Sequence, residues 1–184
     1  GSYLHDKKTN HEFLDFFSMF SSLPLGYNHP IFGDEFKRKI NKIINIKISN
    51  NLIESEELSE FIFKFLNISL HKNLHLCCTG ALAVESALKC AFEYKKNPNL
   101  KILSFKNNYH GINAWGFTTD NQMFSVNNRT INYPKNNWLH IDFNNIEKDI
   151  IEHASELAAV IVEPIQCTAG DIYIDTKILK NIEK

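Results

Sequence analysis

The sequence predicts an α/β fold, a mostly parallel sheet covered by helices. Three observations carry that expectation. Short runs at 74–78 (LHLCC), 100–105 (LKILSF) and 158–162 (AAVIV) are apolar at consecutive positions, as strands buried on both faces are. Stretches with helical spacing alternate with them, above all 81–96 and 146–157. Turn chemistry stands where these strands should end, at Thr79-Gly80 and at Glu163-Pro164.

The chain has 184 residues, 43% of them hydrophobic, enough to bury a sizeable core. Its 12% of aromatic residues, 14 Phe among them, argues against disorder. A net charge of -1 offers no electrostatic case for nucleic acid or an anionic membrane. No stretch reaches the roughly 18 apolar residues of a membrane span, and no signal peptide is visible. Gly1-Ser2 resembles the remnant of a cleaved tag, and the expected location is cytoplasmic. Cys77, Cys78, Cys90 and Cys167 form no CxxC pair, and adjacent Cys77 and Cys78 on a strand would point to opposite faces. They read as reduced thiols in the core or near a site.

Along the chain, 11–30 begins with Phe13, Leu14, Phe16, Phe17, Met19 and Phe20, a helix or a buried strand, and finishes in turn residues. Residues 1–30 read as an N-terminal arm and entry segment. Residues 31–184 read as the first part of a large domain. Pro30 opens a helical stretch through Ile31, Phe36, Ile40, Ile43 and Ile44. The next helix, 54–67, has acids at its start, Ser55 or Ser59 as its cap, and a stripe of Leu58, Phe61, Ile62, Phe65 and Leu66. The clearest helix, 81–96, aligns Val84, Ala87, Leu88, Ala91 and Phe92, pairs Glu85 with Lys89, and stops at Asn97-Pro98. Residues 106–140 are mostly loop.

Three stretches carry chemistry. In Thr79-Gly80-Ala81, a glycine precedes the first unpaired N–H groups of a helix, at its positive end, which suits a phosphate; from the residues alone a plain turn with a glycine is the simpler reading. Tyr109-His110-Gly111 follows the strand at 100–105, on the edge where open α/β sheets bind ligands. There a tyrosine either stacks on a planar ligand or packs in the loop. Glu163 and Gln166 stand at the end of the strand at 158–162 and aim a carboxylate and an amide at the same crevice, unless Pro164 marks only a strand stop. Walker, GxGxxG and GxSxG patterns are absent, and His71 and His75 lie on loop and strand, a poor frame for a shared metal. The lysines of 37–47 read as a solvated helix face.

LGYNHP at 25–30, TGALAVESALKCAFEYKK at 79–96, YHG at 109–111 and AAVIVEPIQ at 158–166, in this order and at these distances, resemble class III aminotransferases. The run GALAVESALK is most similar to lysine 6-aminotransferases. The resemblance runs from about residue 11 to the end. It implies fold type I, a pyridoxal 5'-phosphate (PLP) cofactor and a homodimer with sites at the subunit interface. It implies transfer of an amino group from an amino acid or amine, lysine-like, to a 2-oxo acid. By matching positions, Thr79, Gly80 and Ala81 would hold the cofactor phosphate, Tyr109 would stack on the pyridine ring beside His110, and Glu163 and Gln166 would lie at the cofactor edge. The family's aspartate partner of the pyridine nitrogen and its cofactor-bonding lysine come further along than residue 184, and no lysine here matches that motif.

Two substrate-side positions depart from the family. Ile112 stands where lysine 6-aminotransferases carry an arginine that holds a substrate carboxylate, and Cys167-Thr168 replaces the Gly-Glu of EPIQGE. These changes motivate a second reading, a truncated or degenerate relative that binds a ligand or partner without catalysis. A chain with only part of the expected sheet would expose an apolar edge, so a homo-oligomer or a companion chain is expected.

Overall fold

The computed structural model describes residues 1–43, 56–119 and 136–183. Internal contacts divide the chain into two units, Gly1–Leu74 and His75–Lys184.

In the first unit, β1 (Tyr3–His5) pairs antiparallel with β2 (Glu12–Leu14), Leu4 opposite Phe13. One distorted turn follows, α1 (Ser18–Ser21), in which Ser18, Met19 and Phe20 have positive φ. The phenylalanine-rich run is therefore neither a regular helix nor a buried strand. Phe16 and Phe20 are exposed; β1 and β2 make a ribbon of only two strands, too small to bury such side chains by itself. Pro30–Phe32 forms a short 3-10 turn opened by His29, whose Nδ1 accepts the Ile31 N–H. Gly33 returns to extended backbone before α2 (Asp34–Ile43), so the helical stretch expected from Pro30 is broken in two. Ile44 lies outside the described residues. Helix α3 (Glu56–Ile68) has Glu56 and Glu57 in its first turn, where the dipole favours acids. Ser59 lies inside that helix and does not cap it; Ser55 lies outside the described residues.

The second unit holds the α/β core. Helix α4 (Gly80–Lys95) leads to β3 (Lys101–Phe105). Then come α5 (Ala114–Thr119), β4 (Leu139–Ile141), α6 (Ile146–His153) and β5 (Leu157–Val160). The three strands form one parallel sheet in the order β4-β3-β5. Ile165–Gln166 (β6) and Ile172–Tyr173 (β7) make a small antiparallel pair, and α7 (Thr176–Glu183) follows.

Central β3 is buried on both faces, and side-chain alternation assigns its residues to two cores. Leu103 and Phe105 pack with Ile146, Leu157 and partly buried Ile150, Ile178 and Ile182, so α6 and α7 cover that face. Phe105 lies flat on Phe143, ring centroids 4.3 Å apart. Ile102 and Ala158 pack on the opposite face against Leu88, Val84 and Phe92 of α4. The stripe read from 81–96 is thus the one that seats α4 on the sheet. Helices on both faces of a parallel sheet match the expected fold class.

One expectation for this unit fails. Residues 74–78 form no strand: they pair with none among the described residues, and without a neighbour an apolar run has nothing to ladder with. The cysteines are free; Cys78 and Cys167 are exposed next to Thr79 and Gln166, and Cys90 is exposed on α4. Among the described residues, no helix is long and apolar enough to cross a membrane.

Candidate functional site

The site begins with helix α4. Thr79 is its N-cap: the backbone there is extended, and Oγ1 accepts the Leu82 N–H at 3.2 Å. Ala83 N–H donates to the Thr79 carbonyl at 3.0 Å. The Gly80 and Ala81 N–H groups are left without partners among the described residues, at the positive end of a helix of 16 residues. A Cβ added to Gly80 would meet nothing within 4 Å, so the space beside Gly80 is open.

The loop after β3 closes against this helix start. Gly111 has φ +114, and a Cβ there would stand 3.0 Å from Ala81 Cβ. The Tyr109-His110-Gly111 stretch and the Thr79-Gly80-Ala81 turn are therefore in contact, through a glycine that no side-chain-bearing residue replaces without strain. Tyr109 is partly exposed, with no aromatic neighbour among the described residues. His110 is buried, and burial pushes its imidazole down to about 4, so the ring is neutral near pH 7.

The loop after β5 completes the cluster. The strands are parallel, so both loops emerge on the same edge of the sheet. Glu163 Oε2 accepts the Tyr109 N–H at 2.6 Å. Burial raises the Glu163 carboxyl above its usual range, and the hydrogen bond from Tyr109 opposes that rise. Gln166, 2% exposed, donates Nε2–H to the Lys106 carbonyl at 2.7 Å. These two bonds tie the two strand ends together.

Thr79, Gly80, Ala81, Tyr109, His110, Glu163 and Gln166 thus share one edge of the sheet. Ile112 follows Gly111 with its side chain 75% exposed, and Thr168 is exposed on the turn Cys167–Ala169. Neither side chain enters the hydrogen-bonded cluster.

The class-III aminotransferase family model matches residues 1–184. The chain belongs to that family. Among curated relatives it is 26% identical to the L-lysine-epsilon aminotransferase of Amycolatopsis lactamdurans, over all of this chain and 48% of that protein. It is 32% identical to the succinylornithine transaminase of Photorhabdus laumondii, over 93% of this chain and 42% of that one. Among solved structures, the lysine aminotransferase of M. tuberculosis superposes with a TM-score of 0.80 at 25% identity, covering 98% of this chain and 49% of that chain. The class-III chain described here spans about half the length of the relatives it matches.

Sequence reasoning missed a second group of residues in this class-III site. Glu85, expected to pair with Lys89, instead accepts the N–H groups of Trp115 and Gly116 on Oε1, each at 2.8 Å. No Glu85–Lys89 ion pair is found among the described residues: two backbone donors at a helix start outcompete a solvated lysine one turn along. Beneath the loop lies a buried polar cluster. Ser104 Oγ donates to the Thr119 carbonyl at 2.8 Å and stands 2.8 Å from His140 Nδ1, and Asn108 Nδ2 donates to the same carbonyl at 2.9 Å. A serine in the middle of the apolar run KILSF was the available signal, since a polar group buried there must be hydrogen-bonded.

Proposed function

We propose that this chain supplies the N-terminal, cofactor-holding part of a PLP-dependent aminotransferase. It would pass an amino group from a lysine-like amino acid or amine to a 2-oxo acid. The observation that carries this reading is the meeting of two unpartnered amides at the start of α4 with the Tyr109 loop, pressed together at Gly111 and Ala81. A phosphorylated planar ring asks for that pair of features: an anion cradle and an aromatic face beside it.

In this reading the Gly80 and Ala81 N–H groups bind the phosphate, and the Thr79 hydroxyl, already accepting from Leu82, donates its proton to a phosphate oxygen. The open space at Gly80 admits it. Tyr109 stacks on the ring, and Glu163 orients Tyr109 through its backbone. His110, held neutral by burial, packs beside the ring without bringing a charge to it. Gln166 fixes the loop after β3 at the cofactor edge. PLP, when bound, supplies the electron sink that the reaction needs. Exposed Ile112 and Thr168 lie on the substrate side and offer no ion-pair partner to a substrate carboxylate. The enzyme would work in the cytoplasm as a homo-oligomer, or with a companion chain that carries the rest of the fold, residues 1–30 acting as an arm on a large domain that begins at residue 31.

Intact mass of the whole protein, including any segment that follows residue 184, after addition of PLP and borohydride tests this. A PLP adduct, with amino transfer from lysine to a 2-oxo acid in the same preparation, supports the enzyme. Spectroscopic binding of PLP with neither adduct nor transfer would move the non-catalytic reading ahead; the family match across residues 1–184 favours the enzyme.

A further inference from the structure

Helix α5 is only six residues long, and it starts three residues beyond Gly111. What holds it against α4 therefore sets where the Tyr109 loop lies. Among the described residues, three contacts contribute. A Cβ on Gly116 would come 2.7 Å from the His110 carbonyl and 3.5 Å from Val84 Cγ1, so only glycine lets the backbone fold this closely. Trp115 packs edge-on against Phe92, ring centroids 5.6 Å apart. The third contact is polar: Glu85, half-buried one turn beyond the Gly80–Ala81 amides, accepts two N–H groups from the first turn of α5 on a single oxygen. Glu85 is thus a hydrogen-bonded link between the helix that presents the amide cradle and the segment that carries the aromatic face.

We propose that Glu85 is a positioning residue that sets the spacing between the Tyr109 ring and the amides of Gly80 and Ala81, so that the site favours a phosphorylated ring over phosphate alone. This rests on the cofactor reading above. Glu85 touches neither ring nor phosphate in that reading; it acts through Trp115, Gly116 and the loop they anchor. Because both bonds end on Oε1, a glutamine keeps the acceptor, an aspartate falls short by one methylene, and an alanine removes it.

Equilibrium titrations of the full chain with PLP and, separately, with inorganic phosphate test the proposal. In Glu85→Ala, affinity for PLP is expected to fall by about threefold to tenfold, no more than the share that ring stacking supplies, while affinity for phosphate changes by less than about twofold. Glu85→Gln restores PLP binding and Glu85→Asp does not. In a Tyr109→Ala background, Glu85→Ala has no further effect on PLP. Equal losses for both ligands, a glutamine variant as weak as the alanine, or additive losses with Tyr109→Ala would each overturn it. Wild-type chain that binds neither ligand would instead sink the cofactor reading, and the role of Glu85 with it. Should Glu85→Ala fail to fold by circular dichroism, Glu85→Asp takes its place under the same criteria.

Discussion

Two glycines at the same contact, Gly111 against Ala81 and Gly80 next to Ala81 in the chain, should respond in opposite ways to a single methyl group. Gly111 has φ +114, and a new Cβ would sit 3.0 and 3.1 Å from Ala81 Cβ and Cα. Backbone strain of about 1–3 kcal/mol adds to the contact, so Gly111→Ala should cost about 3 kcal/mol. For a chain of this size that is a fall in Tm of about 6–12 °C. Gly80 has a helical backbone and nothing within 4 Å of the added Cβ. Gly80→Ala should therefore hold or raise stability, by up to about 1 kcal/mol, and Tm with it, since alanine is the better helix former. Its cost should appear only with ligand: the methyl group enters the space assigned to the phosphate, and affinity for PLP should drop by at least about tenfold. Thermal melts with and without PLP, followed by circular dichroism, measure both. A Gly80→Ala chain that melts well below wild type, or one that keeps full affinity for PLP, would refute the placement of the phosphate.

Other outcomes follow from the same geometry. Tyr109→Ala should weaken PLP binding by about threefold to tenfold through lost stacking and leave Tm nearly unchanged, as read by cofactor titration and melting. Ser104→Ala removes a donor from the Thr119 carbonyl and leaves His140 Nδ1 without its 2.8 Å partner; urea unfolding should show a loss of about 1–3 kcal/mol. His110 is held at about 4 by burial, below its usual 6.5. Above pH 6.5 both folded and unfolded chains hold it neutral; below, only the unfolded chain takes up the proton. Stability should then fall as pH drops from 6.5 toward 4, and His140, shifted downward by burial as well, adds in the same sense. At pH 5 urea unfolding should show wild type losing about 2 kcal/mol more, relative to pH 7, than His110→Asn; equal losses would mean that His110 is not the group responsible.

Much of the second unit was legible because its signals are local. Apolar positions at consecutive sites marked β3 and β5, helical spacing marked α4, and parallel strands with ligands at their carboxyl ends placed Tyr109 and Glu163 on one edge. Features that depend on a distant partner were not legible. LHLCC has strand composition, yet pairing needs a neighbour that no local pattern supplies. Glu85 faces Lys89 in a helical projection, but its partners are backbone amides about thirty residues later, invisible until α5 is placed. The phenylalanines of 11–20 show where composition misleads: a two-stranded ribbon cannot bury them by itself, and large apolar side chains remain exposed. Thr79-Gly80-Ala81 was ambiguous alone, and what separates a phosphate cradle from a plain turn is tertiary, namely Gly111 pressed on Ala81 and the emptiness beside Gly80.

The most direct test is amide NMR of this 21.3 kDa chain during titration with PLP. The Gly80 and Ala81 N–H resonances should move downfield, with Tyr109 and Gly111 following and the α7 amides unmoved. Saturable shifts that spare Gly80 and Ala81 would contradict the cradle, and no shifts at all would contradict cofactor binding by this chain.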